Sequence, residues 1–549
     1  MEKDLILKYV LQNAIYYNGK ANPGAIIGKL LQVDPSLKSK IKEISKEIFK
    51  TVTEVNKLNI EEQKTKLISL DPKLLEKKTA KRKESIPKLD IKNLVMRVEP
   101  SPSGALHIGH AYVLGLNYLL CKKNNGKLIV RIGDTNPGNI MPESYKLIEQ
   151  DANWLTSNNV DSFPVQSDRL EIYYKYAKKI LEMDHAYICT CNPEDARSKL
   201  NNKIACHCRD LEPSIQLERW KAMFSSFKPG EAVMRIKTDI THKNPAMRDW
   251  PAFRVVEKPH PRQGKKYRVW PLMNFSVAID DHEMKITATI RAKEHIDNEK
   301  RQKYLYDYFG WKMAKNMYVG RINFSDMKVS KTLAARFIRE GKRTGWDDPR
   351  LPFLQALKRR GYQPEALLKY AEEVGITEND KVVSKEDFFK SINSFNRDLI
   401  DPKADRYFFI LEPYKKMKIK KAIKKDIQLD LYPGIRLGGR KFYTDGEFYF
   451  EEKFKKNKIY RLMHLYNIKD REFVSEPQDP RLEAKMIHWL PANSNNVKVK
   501  VLMDNNKLIK GLAEEAITKV NENEIVQAER LGFLKLENKE KMEFIYLHR

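Results

Sequence analysis

The sequence predicts a multidomain chain: a helical start, an α/β region built on a parallel sheet, and antiparallel β-barrels at the end. Three observations carry that prediction. A chain of 549 residues exceeds one core, at about 100–200 residues per domain. Between residues 93 and 134, "NLVMRVEP", "ALHIGHAYVLGLNYLLCKK" and "KLIVRIGD" read as strand, helix and strand. Such a βαβ unit implies a parallel sheet with a ligand site at its strand ends. Beyond residue 400 the pattern changes to short apolar or alternating runs separated by Asn, Asp and Gly turns, as in barrels.

The elements follow in order. Residues 1–90 form a helical appendage: Leu5, Ile6, Tyr9, Val10 and Leu11 begin one amphipathic helix, and Ile41, Ile44, Ile48 and Val52 stripe another. It ends in "KLLEKKTAKRKESIPK", residues 73–88, a basic linker or arm. Residues 91–345 form the α/β domain, interrupted at about 185–290 by an insertion that carries cysteines. Residues 346–400 are helical ("RLPFLQALKRRGY", "PEALLKYAEEVG"). Residues 401–549 supply the barrel strands, among them "YFFILEP", "RKFYTDGEFYF" and "NVKVKVLM".

Composition narrows the function. At 41% hydrophobic and 10% aromatic the chain can build real cores, which excludes disorder over most of it. Lys and Arg number 102 against 73 Asp and Glu, a net charge of +29. A polyanionic partner, nucleic acid first, is expected, with a general lysine bias as the alternative. The sequence holds no run of 18 apolar residues, so no membrane span is predicted, and "MEKDLILKYV" lacks a secretory pattern. Of five cysteines, four form two pairs, Cys189 with Cys191 and Cys206 with Cys208, with fourteen residues between the pairs. That spacing suits tetrahedral structural zinc in a reducing cytoplasm. His207 is an alternative ligand, and Cys121 reads as core.

His107 and His110 fall in the first turns of the helix after the first strand, three apart and on one face. A helix N-terminus offers free N–H groups and positive potential to phosphate. Gly109 between them leaves room for a flat group against the backbone. Alone, such a pair reads first as helix-cap and core histidines. However, "PSPSGALHIGHAYV" resembles the signature of the class I aminoacyl-tRNA synthetases, in the P-x-S-G-x-x-H-I-G-H form of the glutamyl and glutaminyl enzymes. Downstream, "DMKVSKTLAARFI", residues 326–338, resembles the family's M-S-K loop, with Val329 in place of Met. "GWDDPRLPFLQALKRRGY" is similar to a segment of archaeal glutamyl and of glutaminyl enzymes, the stretch from "RDWPAFRVVE" to "RAKEH" resembles the archaeal glutamyl catalytic core, and the resemblance covers roughly residues 91–549.

The resemblance implies a Rossmann-like class I catalytic domain with a zinc-bearing, acceptor-binding insertion, a helical stem-contact domain and an anticodon-binding β-barrel domain. It implies a glutamate–tRNA ligase that uses ATP with Mg2+ to make glutamyl-adenylate. The acyl group then passes to the terminal adenosine of tRNA(Glu), with tRNA(Gln) left open as a second acceptor. Structural Zn2+, a cytoplasmic location, no membrane and a monomer go with it. His107, His110 and Lys331 would stabilise charge at the phosphate. Gly109 and Ser330 join them at ATP, while Arg97, Ser101 and Arg291 contact the amino acid, Arg291 reading its side-chain carboxylate. Arg440 in "LGGRKFY" is a candidate base contact, and "YKKMKIKKAIKK" and "KFKKNKIYR" candidate tRNA surfaces.

Two positions depart from the family. Gly133 stands where a carboxylate is expected to hold the substrate ammonium, and Met273 stands in place of a pocket tyrosine. Rival readings are a glutaminyl enzyme, a short paralogue that modifies a tRNA base, and a catalytically inactive RNA-binding relative. The cysteine pairs, the length beyond residue 400 and the intact histidines and lysine argue against them in turn.

Overall fold

The computed structural model describes residues 2–16, 19–33, 41–71, 74 and 86–549. Most of the basic linker expected at 73–88 lies outside the described residues. The chain divides into two compact units, Met1–Glu84 and Ser85–Arg549.

Among the described residues the first unit has four helices, Glu2–Tyr16, Pro23–Val33, Ile41–Val55 and Ile60–Leu70. Ile6, Val10, Leu11, Ile44, Ile48 and Val52 meet in its core, which is what the helical spacing of these residues requires. Ile41 differs: it stands exposed at the helix start. Asn59 and Glu62 form a reciprocal capping box on the last helix.

The second unit is organised by a four-stranded parallel sheet in the order Lys127–Val130, Val95–Val98, Ala288–Ala292, Lys315–Val319. Helix Ile108–Lys123 returns the chain between the first two strands, so the predicted βαβ unit is present. The helix starts at Ile108, three residues later than "ALH" suggests, because His107 is its cap. Helix Pro364–Val374 packs on it, and the Tyr112 hydroxyl donates to the Gly375 carbonyl at 2.8 Å. Between the second and third strands the chain builds a separate antiparallel sheet, Ala186–Cys189, Val233–Ile236, Pro251–Val255 and Val269–Pro271, over its own core around Trp220, Phe253 and Trp270.

Beyond residue 404 the chain is β-rich. Seven strands form one sheet whose edges are Asp405–Tyr407 and Phe409–Leu411, with only Phe408 between them in sequence. The sheet therefore curls towards closure. It is not wholly antiparallel: Asp405–Tyr407 pairs with Ile525–Ala528 in parallel, as does Val497–Leu502 with Glu543–His548. A second cluster of short sheets and the hairpin Lys425–Tyr432/Arg436–Thr444 surround Phe442, Phe448, Tyr466 and Trp489. Among the described residues no helix is long and apolar enough to cross a membrane.

Candidate active site

The strand Val95–Val98 delivers the chain to the carboxyl edge of the parallel sheet, where open α/β sheets bind ligands. Gly104 in the following loop has φ +138°, and a Cβ there would stand 2.4 Å from the Trp346 ring, so only glycine fits. The loop delivers His107 as N-cap. Its Nδ1 accepts from the Gly109 N–H at 3.1 Å, and His110 Nδ1 accepts from the His107 N–H at 3.3 Å. The ring centroids are 3.8 Å apart. Burial, then the nearby Lys331 charge, lowers the His107 pKa to about 3. His110 is held well below its ordinary value by burial, His107 and Lys331. Both rings are therefore neutral, and a neutral imidazole that accepts at Nδ1 carries its hydrogen on Nε2. Two Nε2–H donors result, each oriented by a backbone N–H. The space above Gly109 is taken by His107 itself: a Cβ at Gly109 would lie 3.0 Å from His107 Cε1, so the flat group accommodated there is the cap's own ring.

Lys331 opens helix Lys331–Arg339, whose N-cap is Ser330. Its Nζ donates to the Ser101 carbonyl at 3.0 Å, joining the two signature stretches across 230 residues. Burial lowers its pKa to about 8, against the opposing pull of Asp151. Ser330 Oγ accepts from the Leu333 N–H at 3.3 Å, so it serves the helix cap here.

A cavity of about 630 Å³ runs from these histidines to a charged end, where Arg97, Glu99, Met273 and Arg291 line it. Arg97 forks onto both oxygens of Asp281 at 2.9 and 2.8 Å. Arg131 reaches the same carboxylate at 2.9 Å and Arg291 at 3.2 Å. Burial alone would raise the Asp281 pKa, but Arg97 and Arg131 outweigh it and hold the acid ionised. Arg291 is brought down to about 10 by burial and by Arg97 beside it. Asp280 takes Arg169 at 2.8 Å and the Tyr173 hydroxyl at 2.6 Å. Arg131 also bonds Glu99. Four guanidiniums thus face three carboxylates. Met273 is 42% exposed and lines the cavity, so it is not core packing.

The family "tRNA synthetases class I (E and Q), catalytic domain" matches residues 93–402, and the anti-codon binding domain of the same group matches residues 486–537. The chain belongs to this family. It is 42% identical to the Glutamate--tRNA ligase of Methanocaldococcus jannaschii over the whole of both chains. It is 42% identical to that of Pyrococcus furiosus over 99% of both, and 40% identical to that of Methanococcus maripaludis strain C6 over 98% of both.

Elsewhere in the synthetase, Cys189, Cys191, Cys206 and Cys208 place their sulfurs within 4.8 Å of one another. The pairs Cys189–Cys206 and Cys191–Cys208 stand 3.9 Å apart. A tetrahedron with Zn–S bonds of about 2.3 Å has S–S edges of about 3.8 Å, so the donor set fits zinc. Gln216 braces the site, accepting from the Ile188 N–H and donating to the Cys208 carbonyl, each at 2.7 Å. His207 lies outside the set, its Nε2 3.5 Å from Cys208 Sγ. Arg440 departs from expectation. It is 1% exposed, and its guanidinium donates to Glu514 at 2.8 and 2.7 Å and to Glu529 at 2.8 Å. Its donors are committed to two carboxylates beside the seven-stranded sheet, not offered to a base. Several lysines of 414–425 are paired too, Lys416 with Glu447 and Lys421 with Glu472.

Three site residues escape the motifs: Asp281, Glu99 and Asp151. Asp151 accepts from the Leu106 N–H at 2.8 Å and from Gln355 at 2.7 Å, and burial raises its pKa to about 7. The readable signal for Asp281 is its helix. In "MNFSVAIDDHE" two acids sit inside an apolar run, and buried acids need cationic partners.

Proposed function

We propose that the protein is a glutamate–tRNA ligase of archaeal type, an ATP-dependent aminoacyl-tRNA ligase. The observation that carries this reading is the cavity: two neutral histidine donors at one end, and a cluster with one excess positive charge at the other. L-Glutamate has a net charge of −1, so the cluster becomes neutral with it bound. In this reading Arg291 takes the side-chain carboxylate, and Arg97 and Ser101 orient the rest of the amino acid. ATP lies with its phosphates along the start of helix Ile108–Lys123. His107 and His110 donate to the charge that develops on the α-phosphate as glutamate attacks, and Lys331 leaves the Ser101 carbonyl for the leaving pyrophosphate. Mg2+ accompanies ATP. The full-length identity to relatives named glutamate ligases supports the choice of amino acid.

The test is aminoacylation of tRNA(Glu) and tRNA(Gln) with labelled glutamate and with labelled glutamine. Glutamate on tRNA(Glu) is the expected product. Glutamine as the preferred amino acid, or no charging of either tRNA, overturns the reading.

The four cysteines hold structural zinc in the insertion, next to where the tRNA acceptor end would enter. Metal analysis should find about one zinc per chain, lost when Cys189 and Cys208 are both changed to serine. The C-terminal β-region meets the anticodon, and a net charge of +29 supports binding governed by phosphate contacts.

A further inference from the structure

We propose that Glu99 holds the substrate ammonium, performing the task that Gly133 leaves without a side chain; this rests on the cavity being a glutamate site.

An ammonium needs acceptors, and the charged end of the cavity is crowded with donors. Its carboxylates are mostly committed. Both Asp281 oxygens serve Arg97, with Arg131 and Arg291 added. Both Asp280 oxygens serve Arg169, Tyr173 and Gln166. Asp134, next to Gly133, faces away and accepts from the Ser167 N–H and the Tyr145 hydroxyl. Glu294, which also lines the cavity, pairs with Arg321. Glu99 is different. Arg131 places both Nε and Nη2 on a single oxygen, Oε2. The other oxygen, Oε1, accepts no hydrogen bond from any described residue, and Glu99 lines the cavity.

The position of Oε1 links the two residues. A Cβ built on Gly133 would stand 3.2 Å from Glu99 Oε1 and 3.3 Å from its Cγ. The Glu99 side chain therefore fills the space that a side chain at 133 would enter. The backbone at Gly133 is not left-handed, so its conformation does not demand glycine. What crowds a larger residue there is the Glu99 side chain. The Gly133 N–H donates to the Pro100 carbonyl at 3.1 Å, which keeps the two strand ends side by side. A carboxylate is thus delivered to the same place from the neighbouring strand.

If Glu99 served only as counter-ion to the buried Arg131, its loss would impair every ligand of the cavity alike. If it binds the ammonium, its loss erases the preference for an amino acid over the same diacid without the amine. The experiment compares the glutamate KM in tRNA(Glu) charging with the inhibition constant of glutarate. Variants are Glu99→Gln, Gly133→Glu and the double exchange Glu99→Ala/Gly133→Glu. For the wild type, glutamate is expected to be favoured over glutarate by about 10–100-fold, the range for a charge-assisted hydrogen bond. Glu99→Gln should bring the two within about threefold. Gly133→Glu should raise the glutamate KM, because two carboxylates crowd one space. The double exchange should restore the preference, and it decides the matter if Glu99→Gln does not fold. An unchanged glutamate-to-glutarate ratio in Glu99→Gln, or no preference in a folded double exchange, overturns this inference alone. A wild type that does not use glutamate at all overturns the functional reading beneath it.

Discussion

The two ends of the cavity are built in opposite ways. At the histidine end the groups lie within four residues of one another and are held by their own backbone: His107 and His110 are a reciprocal cap on one helix, both neutral. At the arginine end the groups come from strands and helices 184 residues apart in sequence and are held by one another's charge. The histidine pair is local and uncharged, the arginine cluster distant and ionic. Chemistry on a phosphate needs donors that are already in place, and recognition of an amino acid needs a balanced set of charges. The difference also decides how each end fails.

The arginine end should fail by unfolding. Asp281 is 2% exposed and shared by three guanidiniums. Asp281→Ala leaves those charges without their partner and should cost about 3–5 kcal/mol, measured by urea denaturation. A loss below about 1 kcal/mol would show that the arginines re-pair among Glu99 and Asp280. The histidine end should fail by slowing. His110→Ala should reduce adenylate formation by about 10²–10³-fold with ATP KM nearly unchanged, the scale for one preorganised donor. A raised KM with kcat intact would instead make His110 a ground-state contact. The smallest effect concerns Lys331, whose charge a distant helix brings up to the histidine pair. With its pKa near 8, it is half deprotonated at pH 8, and phosphate binding restores the proton. ATP binding at pH 8 should therefore take up about 0.5 proton, and almost none at pH 6. Calorimetry in buffers of different ionisation enthalpy reads this number, and Lys331→Arg should abolish it.

The same contrast explains what could be read in advance. Histidines three apart after a strand, and cysteine pairs at metal-ligand spacing, carry their geometry in the sequence. The βαβ unit and the strands around Asn and Gly turns are legible for the same reason. The parallel pairings within the β-region are not, because they join strands far apart in the chain. The resemblance sets Arg97 near the amino acid, but nothing close to it in sequence points to Asp281. Arg440 shows a signal present and unread. In Arg436–Thr444 the buried positions are Gly438, Arg440, Phe442 and Thr444. Alternation by two already sets the arginine on the inner face, beside a phenylalanine.

That inward arginine sets the mechanics of the β-region. Glu514, which it grips, also accepts from the Phe408 N–H at 2.7 Å, and Phe408 is the step between the two edges of the seven-stranded sheet. The hairpin of residues 425–444 is therefore joined by charge to the seam of that sheet. The ion pair thus ties the hairpin, whose tip exposes Ile435 and Leu437, to the closure of that sheet.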